Sequence, residues 1–530
     1  MEKSKSNTVV QGAIVLTIAG LLSKVLSATY RIPLQNLTGD LGFYLYQQIY
    51  PLIGIVMILA LYGFPVAVSK LTAEMNQQNQ VMTYRNFYIP VFFVLLILNS
   101  LLFVILFFIA PFIASWTGDV RLKSAFQLAS FLFLLVPFSA IFRGVSQGNE
   151  QMTPTAFSQI VEQLIRVSII IFAAYFVYVG KLNIDKIGEA GVIATMLGMV
   201  VSIMMLAIFY APKKALIHSE KSVIPWRHYI YTCIFFGFIA ALNQMVLLII
   251  QFVDTFTLVP NLISFGFTPV EAMKEKGIFD RGQPLIQFGV VFGSSFALAI
   301  IPSVVKNNIR KRKEQVTYIR DAILFGFYLA AGATVGLICI LPETNMLLFK
   351  NDAGTTSLQI LVLSILLSSV AITASAILQS LGYIKQIAFW ICMMFVIKWI
   401  LNELLVPSFG INGSALATVS SLFVLAISMV IVLQRKLPSL YLFRHFQWFG
   451  FVVASSMMGM YIFIVKFLVP ISSNYSRVNL LLYVLFIVVT GAIVYIILLL
   501  RYEVLSKKQW SALPFSSLIL RLEKIVAKKK

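Results

Sequence analysis

The residues that could do chemistry in this chain are charges placed in apolar sequence. Lys24 and Arg31 interrupt a hydrophobic run near the N-terminus, seven residues apart and hence on one helical face. Arg166 and Lys398 interrupt two further runs, and Arg281 stands just ahead of another, in Asp280-Arg281-Gly282-Gln283-Pro284. Acids in such surroundings are fewer: Glu162, with Asp254 and Glu403 near run ends. A charge at the centre of a bilayer costs on the order of 2.5–3.5 kcal/mol on insertion scales, so each one asks for a reason. The balance is cationic. A cavity lined this way attracts phosphate or pyrophosphate, because Arg offers a rigid fork of donors and Lys a point charge. Plainer readings compete. Arg31 and Arg281 could snorkel to the outer interface, as Lys466 is expected to do, and Glu162 could neutralise Arg166 at i,i+4.

The elements that position these charges are expected to be transmembrane helices. Of 530 residues, 59% are hydrophobic and 12% charged, against about a quarter charged in a soluble domain. The apolar residues come in blocks of about twenty between short polar turns, the length that crosses a bilayer core. Open strands cannot cross lipid with unpaired backbone groups, so the spans are helices. About fourteen are predicted, near 9–33, 43–69, 88–114, 124–147, 155–179, 188–211, 228–254, 284–305, 320–341, 357–381, 387–406, 411–434, 447–470 and 478–501. The expected fold class is an all-α polytopic membrane protein.

The formal charge of +21 could suggest nucleic acid, but its distribution argues for a membrane surface. With the N-terminus in the cytoplasm, roughly 27 of the 41 Lys and Arg fall on the inner side and about 9 outside, the bias of the positive-inside rule. The basic loop around Arg310-Lys311-Arg312-Lys313 and the tail ending Lys528-Lys529-Lys530 would meet anionic lipid. Residues 503–530 read as a basic amphipathic helix on the inner leaflet. This predicts a multi-pass protein of the bacterial cell membrane with both termini cytoplasmic. The first run is interrupted by Lys24 and followed by more spans, so it reads as an uncleaved helix.

Cys233, Cys339 and Cys392 sit far apart inside spans and offer neither a disulfide framework nor metal spacing. The three histidines make no ligand cluster. There is no GxxxxGK[ST] phosphate loop and no soluble domain large enough for an enzyme site, so neither an enzyme nor a cofactor is expected.

Three matches in register suggest an internal repeat. Span two ends in Pro65-Val66-Ala67-Val68-Ser69-Lys70 and span eight in Pro302-Ser303-Val304-Val305-Lys306. Gly148, Ala156-Phe157 and Arg166 are answered by Gly382, Ala388-Phe389 and Lys398. Gly188-Glu189-Ala190-Gly191 with Ala194-Thr195 is answered by Gly410-Ile411-Asn412-Gly413 with Ala417-Thr418. Six spans precede the second copy, which makes the repeat parallel, as in transporters whose two lobes rock about a central site. The expected organisation is an N-lobe over 1–222, a C-lobe over 223–440, two further helices over 441–502 and the tail over 503–530. Pro65 and Pro302 mark matching bends with a gating role, or simple helix ends.

The opening SKVLSATYRIPLQNLTGDLGFYLYQ, followed by YGFPVAVSKL, resembles the polysaccharide-exporter branch of the multidrug/oligosaccharidyl-lipid/polysaccharide exporter superfamily. Within it, the chain is most similar to the sporulation-stage-V-protein-B-like group, related to the MurJ-type lipid II flippases. The resemblance covers essentially the whole chain and implies two six-helix lobes forming a V, with the two extra helices holding a lipid tail. In MurJ-type members, basic residues of the first and eighth helices contact the lipid-linked pyrophosphate. Lys24 and Arg281 fall on such positions, while a second first-helix Arg falls on Tyr30 with Arg31 beside it, a shift of about 100°. Some relatives use a sodium site among helices seven, eleven and twelve. Asp254, Asn402, Ser414 and Thr418 are candidate oxygens for it, and Lys398, one turn from Asn402, could place an ammonium where a cation would sit.

The expected function is a secondary transporter flipping a polyprenyl-pyrophosphate-linked oligosaccharide from the inner to the outer leaflet by alternating access. Lys24, Arg31 and Arg281, with Arg166 and Lys398, would bind pyrophosphate. Its partners would be the lipid-linked sugar, membrane lipids and cell-wall synthesis enzymes, and coupling would draw on Na+, H+ or the membrane potential. The alternative is a multidrug or cation extruder of the same superfamily, which would want intramembrane acids where this chain has bases. A membrane scaffold or a lipid-modifying enzyme is the reading from another class.

Overall fold

A block of twenty apolar residues has one satisfactory backbone in lipid, the helix, and this chain adopts it repeatedly. The computed structural model describes residues 2–209, 224–305, 312–470 and 476–505, and every regular element among them is helical. The basic loop at 306–311 and the expected amphipathic helix of the tail, from 506 onward, lie outside the described residues.

The chain divides into two compact units, Met1–Asp280 with Phe395–Ser414, and Arg281–Met394 with Ala415–Lys530. The first holds α1 (Glu2–Thr29), α2 (Arg31–Ile58), α3 (Phe64–Gln77), α4 (Ile89–Trp116), α5 (Lys123–Ser130) and α6 (Leu132–Gly148). It continues through α7 (Thr153–Tyr178), α8 (Ile187–Phe209), α9 (Trp226–Tyr231), α10 (Gly237–Leu242), α11 (Val246–Phe265) and α12 (Pro269–Asp280). The second holds α13 (Gly282–Val305), α14 (Arg312–Phe349), α15 (Thr355–Val362) and α16 (Ser364–Ser380). Two helices are shared, α17 (Ile384–Phe409) and α18 (Ile411–Lys436), whose adjoining ends belong to the first unit. The second unit closes with α19 (Trp448–Leu468) and α20 (Arg477–Arg501).

Twelve helical runs among the described residues are long and apolar enough to cross a membrane. The first, Ile18–Gln77, is 60 residues long, about 90 Å as helix and so two passes of a bilayer of about 40–45 Å with its headgroups. Dividing it in two and adding the 24-residue α13 gives the fourteen spans that the hydropathy pattern suggests. Only 17% of the most apolar stretch of α4 is buried, with Phe93, Ile97, Leu101, Phe108 and Phe112 all exposed. A soluble protein does not show water such a stripe, so lipid covers it. The protein is a multi-pass membrane protein.

Where helices meet, small residues set the spacing. Gly144 and Gly148, one turn apart on α6, lie against Val68 and Thr72 of α3, and a methyl group at either would come within 2.4 or 2.5 Å of those side chains. This close approach lets dispersion hold helices together where no hydrophobic drive exists.

Pro65 follows a π turn within a continuous helical run. The turn before it, Leu59–Gly63, is a π turn in which Phe64 donates its N–H back to Leu59. In that register the donor for the Ala60 carbonyl would be residue 65, a proline with no N–H. Arg143 Nη1 and Ser139 Oγ approach this carbonyl instead, each at 3.4 Å. Pro302 lies in the last turn of α13; its side chain is outside the described residues.

Candidate functional site

Arg31 directly follows Tyr30, through which the helical backbone continues from α1 into α2, and its side chain is fully buried; the chain leaves the helical path later in α2, at Gly39 (φ 69°). Its guanidinium carbon lies 4.0 Å from the centre of the Tyr50 ring, a cation–π contact. None of its three side-chain nitrogens has a hydrogen-bond partner among the described residues. Tyr46 and Tyr50 are one turn apart on α2, with ring centres 6.0 Å apart. Tyr30 meets Tyr46 edge-on and the two hydroxyls are hydrogen-bonded. Gly191 of α8 makes room for this arrangement, since a Cβ there would come within 2.5 Å of the Tyr46 ring. Arg166 on α7 is within electrostatic reach of both Tyr46 and Tyr50. Its guanidinium meets Gln163 Oε1 and Met57 Sδ, while its Nε is without a partner among the described residues.

The acids of this unit are engaged elsewhere. Glu162 accepts from Arg143 at 2.7 Å, and Ser202 and Ser158 complete that guanidinium's contacts at 2.8 and 3.2 Å. The alternative in which Glu162 neutralises Arg166 is therefore corrected: Glu162 pairs with Arg143, which also approaches the Ala60 carbonyl ahead of Pro65. Lys276 and Asp280 pair at 2.5 Å on α12, which lies against α2 so closely that a Cβ on Gly277 would fall 2.2 Å from the Asp40 carbonyl oxygen. Asp119 pairs at 2.8 Å with the more exposed Arg121. With Lys398 on Asp254 at 2.8 Å, the four buried acids of the first unit are paired among the described residues. Two buried guanidiniums, Arg31 and Arg166, remain without a carboxylate.

A second cluster surrounds Lys398. Its Nζ lies 2.8 Å from Asp254 Oδ1, 2.9 Å from Asn402 Oδ1, and 3.0 Å from both the carbonyl and the hydroxyl oxygen of Ser414. Asp254 Oδ1 also accepts from Asn402 Nδ2 at 2.8 Å and Ser414 Oγ at 3.0 Å, and Asn402 Nδ2 donates to Thr257 Oγ1 at 2.7 Å. Three donors on one oxygen suit an ionised carboxylate. Gly410, at φ 57°, makes the turn between α17 and α18 that brings Ser414 back toward Lys398. Thr418, one turn beyond Ser414, is buried and belongs to the second unit.

The remaining expected residues are placed as follows. Lys24 is exposed on α1. Arg281 is fully buried in the second unit, 2.5 Å from Asn351 Oδ1 and 5.4 Å from the centre of the Phe349 ring. Neither Arg31 nor Arg281 snorkels, since both are 0% exposed. Lys466 pairs with Glu343 at 2.7 Å. Sequence reasoning passed over Arg143 and Lys276. Arg143 lay inside a predicted span and could have been found by the same insertion-cost argument; Lys276 sits in a polar segment that carries no such signal.

Fold and buried charge together define the class, a helical multi-pass membrane protein with charged side chains enclosed among its helices. Its structure resembles the inward closed conformation of the lipid II flippase MurJ, with a TM-score of 0.68 at 13% identity over 92% of this chain and 98% of that one. It also resembles an inward-facing multidrug resistance MATE transporter, with a TM-score of 0.61 at 16% identity over 81% of this chain and 98% of that one. The sequence pattern of the family described as polysaccharide biosynthesis protein matches residues 9–308, and the chain belongs to that family. Among its relatives in Bacillus subtilis (strain 168), the uncharacterized membrane protein YabM is 37% identical over 82% of this chain and 81% of its own length. Lipid II flippase MurJ is 25% identical over 89% and 91%, and stage V sporulation protein B 22% identical over 81% and 84%.

Proposed function

We propose that this protein flips a polyprenyl-pyrophosphate-linked sugar from the inner to the outer leaflet of a bacterial cell membrane, with both its termini on the cytoplasmic side. The observation that carries the reading is the pair of buried guanidiniums left over when the other buried charges of the first unit are matched. An unpaired charge out of water is costly, by several kcal/mol per ion, so the arrangement calls for an anion that arrives with the substrate. A pyrophosphate diester carries two negative charges. It presents fork-matched oxygens to Arg31 and Arg166, and the tyrosine hydroxyls can donate to what remains.

Lys24 joins this clamp by its match to the family motif, at an exposed position from which a headgroup can be met first, and Arg281 carries its own match to that motif within the second unit. The buried guanidiniums become reachable only as helices part, and the π turn before Pro65, like Pro302 in its own lobe, is where such movement would be absorbed. An inside-negative potential favours moving two negative charges outward by about 4.6 kcal/mol per 100 mV, a driving force that needs no nucleotide. The kinship with a lipid II flippase supports the substrate class. Which sugar the lipid carries is a matter for the assay.

The test is a leaflet-exchange assay in proteoliposomes with a polyprenyl-pyrophosphate-linked disaccharide, its monophosphate analogue and a cationic dye. We expect exchange of the pyrophosphate lipid alone, abolished in Arg31→Met and reduced in Arg166→Gln. Exchange that persists in both variants removes the clamp. Export of the dye without lipid exchange would establish the multidrug reading, for which paired acids are a poor starting point.

A further inference from the structure

The sodium site of some relatives would fall on Asp254, Asn402 and Ser414 of the first unit as candidate oxygens. The oxygens of Asp254, Asn402 and Ser414 converge on a point, and that point is occupied by the Nζ of Lys398, at 2.8–3.0 Å from four oxygen atoms. These are N–H···O distances; a hard cation such as calcium takes its oxygens at about 2.3–2.6 Å. A metal ion seated on the same oxygens would overlap the ammonium. One oxygen of the set, Asp254 Oδ2, is without a partner among the described residues, and a single ligand is far short of the six or more that hard cations gather. Charge argues the same way. Lys398 and Asp254 cancel, both being fully buried, and a further cation would be an uncompensated charge away from water. The residues present do not fit sodium.

We infer that Lys398 is a built-in cation that permanently fills the position a dissociable coupling ion would take, so that the protein works without sodium. A small metal ion can leave its site and join three helices only while bound. The ammonium is tethered to α17 by its own side chain and cannot leave. It ties α11, α17 and the start of α18 together through every stage of a cycle, so ion release cannot be what changes conformation here. The driving force must then act on the substrate itself or elsewhere in the chain. A corollary is that the oxygens remain a latent metal site: with the ammonium removed, one carboxylate, one amide oxygen, one carbonyl and one hydroxyl are left facing a space of cation size.

The inference rests on the transport reading for one arm of its test only. In the first arm, the purified full-length protein is titrated with radioactive sodium, and its melting temperature is compared in sodium, potassium and choline chloride. The wild type should show no saturable sodium binding and the same melting temperature in all three salts. Lys398→Ala should gain saturable sodium binding and a melting temperature that rises with sodium, and Lys398→Ala/Asp254→Asn should lose both. Saturable binding to the wild type, or a folded Lys398→Ala that ignores sodium, overturns the inference. If Lys398→Ala cannot be recovered, the wild-type titration decides alone. In the second arm, lipid exchange by the wild type should keep its rate when potassium replaces sodium, and a collapse of that rate also overturns it. A protein that moves no lipid at all would defeat the transport reading while leaving the binding result standing.

Discussion

Arg31 and Lys398 are both fully buried cations of the first compact unit, yet their surroundings are opposite. Lys398 is met by four oxygens, one of them from a carboxylate. Arg31 is met by the face of Tyr50 and by no carboxylate among the described residues. The same side-chain chemistry thus serves two ends. A cation whose charge is answered within the fold joins helices; a cation whose charge is left unanswered is suited to a ligand. Burial alone does not separate the two, and neither does position within a span. The inventory of partners does.

That contrast can be broken by mutation, because the two sites should answer the same kind of change with opposite signs. Asp254→Asn leaves the Lys398 ammonium buried without its counter-charge and should destabilise the protein by about 3–5 kcal/mol, read as a lowered melting temperature in detergent. The neutral pair Asp254→Leu/Lys398→Met should recover most of that loss. Arg31→Met removes a charge that has no partner, so the melting temperature should hold or rise, while lipid exchange falls by about a hundredfold, or roughly 2.7 kcal/mol of lost interaction. A destabilised Arg31→Met with normal exchange would make Arg31 a structural residue like Lys398.

Smaller effects sharpen the same comparison. Gly191→Ala places a methyl group against the Tyr46 ring and should cost about 1–3 kcal/mol of stability, with weaker capture of the pyrophosphate lipid as the tyrosine cage shifts. A variant that binds lipid as well as the wild type would show that the tyrosines only pack. Lys24→Gln lies at an exposed position and should change stability by no more than about 0.5 kcal/mol, so any loss of exchange in it reports on substrate contact alone.

How much of this was legible beforehand depends on the range over which each feature is determined. The irregular backbone bonding just before Pro65 was readable because proline's missing N–H is a property of one residue. Arg31 and Arg281 were readable as costly residues, and of the readings that compete for them the one in which they reach for the interface is excluded by their burial. Nothing in the run lengths says that the tyrosines beyond the kink at Gly39 close over Arg31. The pairing of Glu162 was misread for a related reason. An i,i+4 neighbour is the natural partner on an isolated helix, whereas α6 brings Arg143, 19 residues earlier, into better position.

The sequence by itself determined that the chain is a membrane protein of many helical spans, where those spans run, and that its intramembrane charges are mostly positive. These follow from local quantities, the thickness of a bilayer against the length of an apolar run and the price of charge in lipid. The tertiary structure alone decided which of those charges are answered. Asp254 meets Asn402 across 148 residues and Ser414 across 160. Charge pairing is a matter of a few ångströms in space, and only the packing of helices against one another sets distances on that scale.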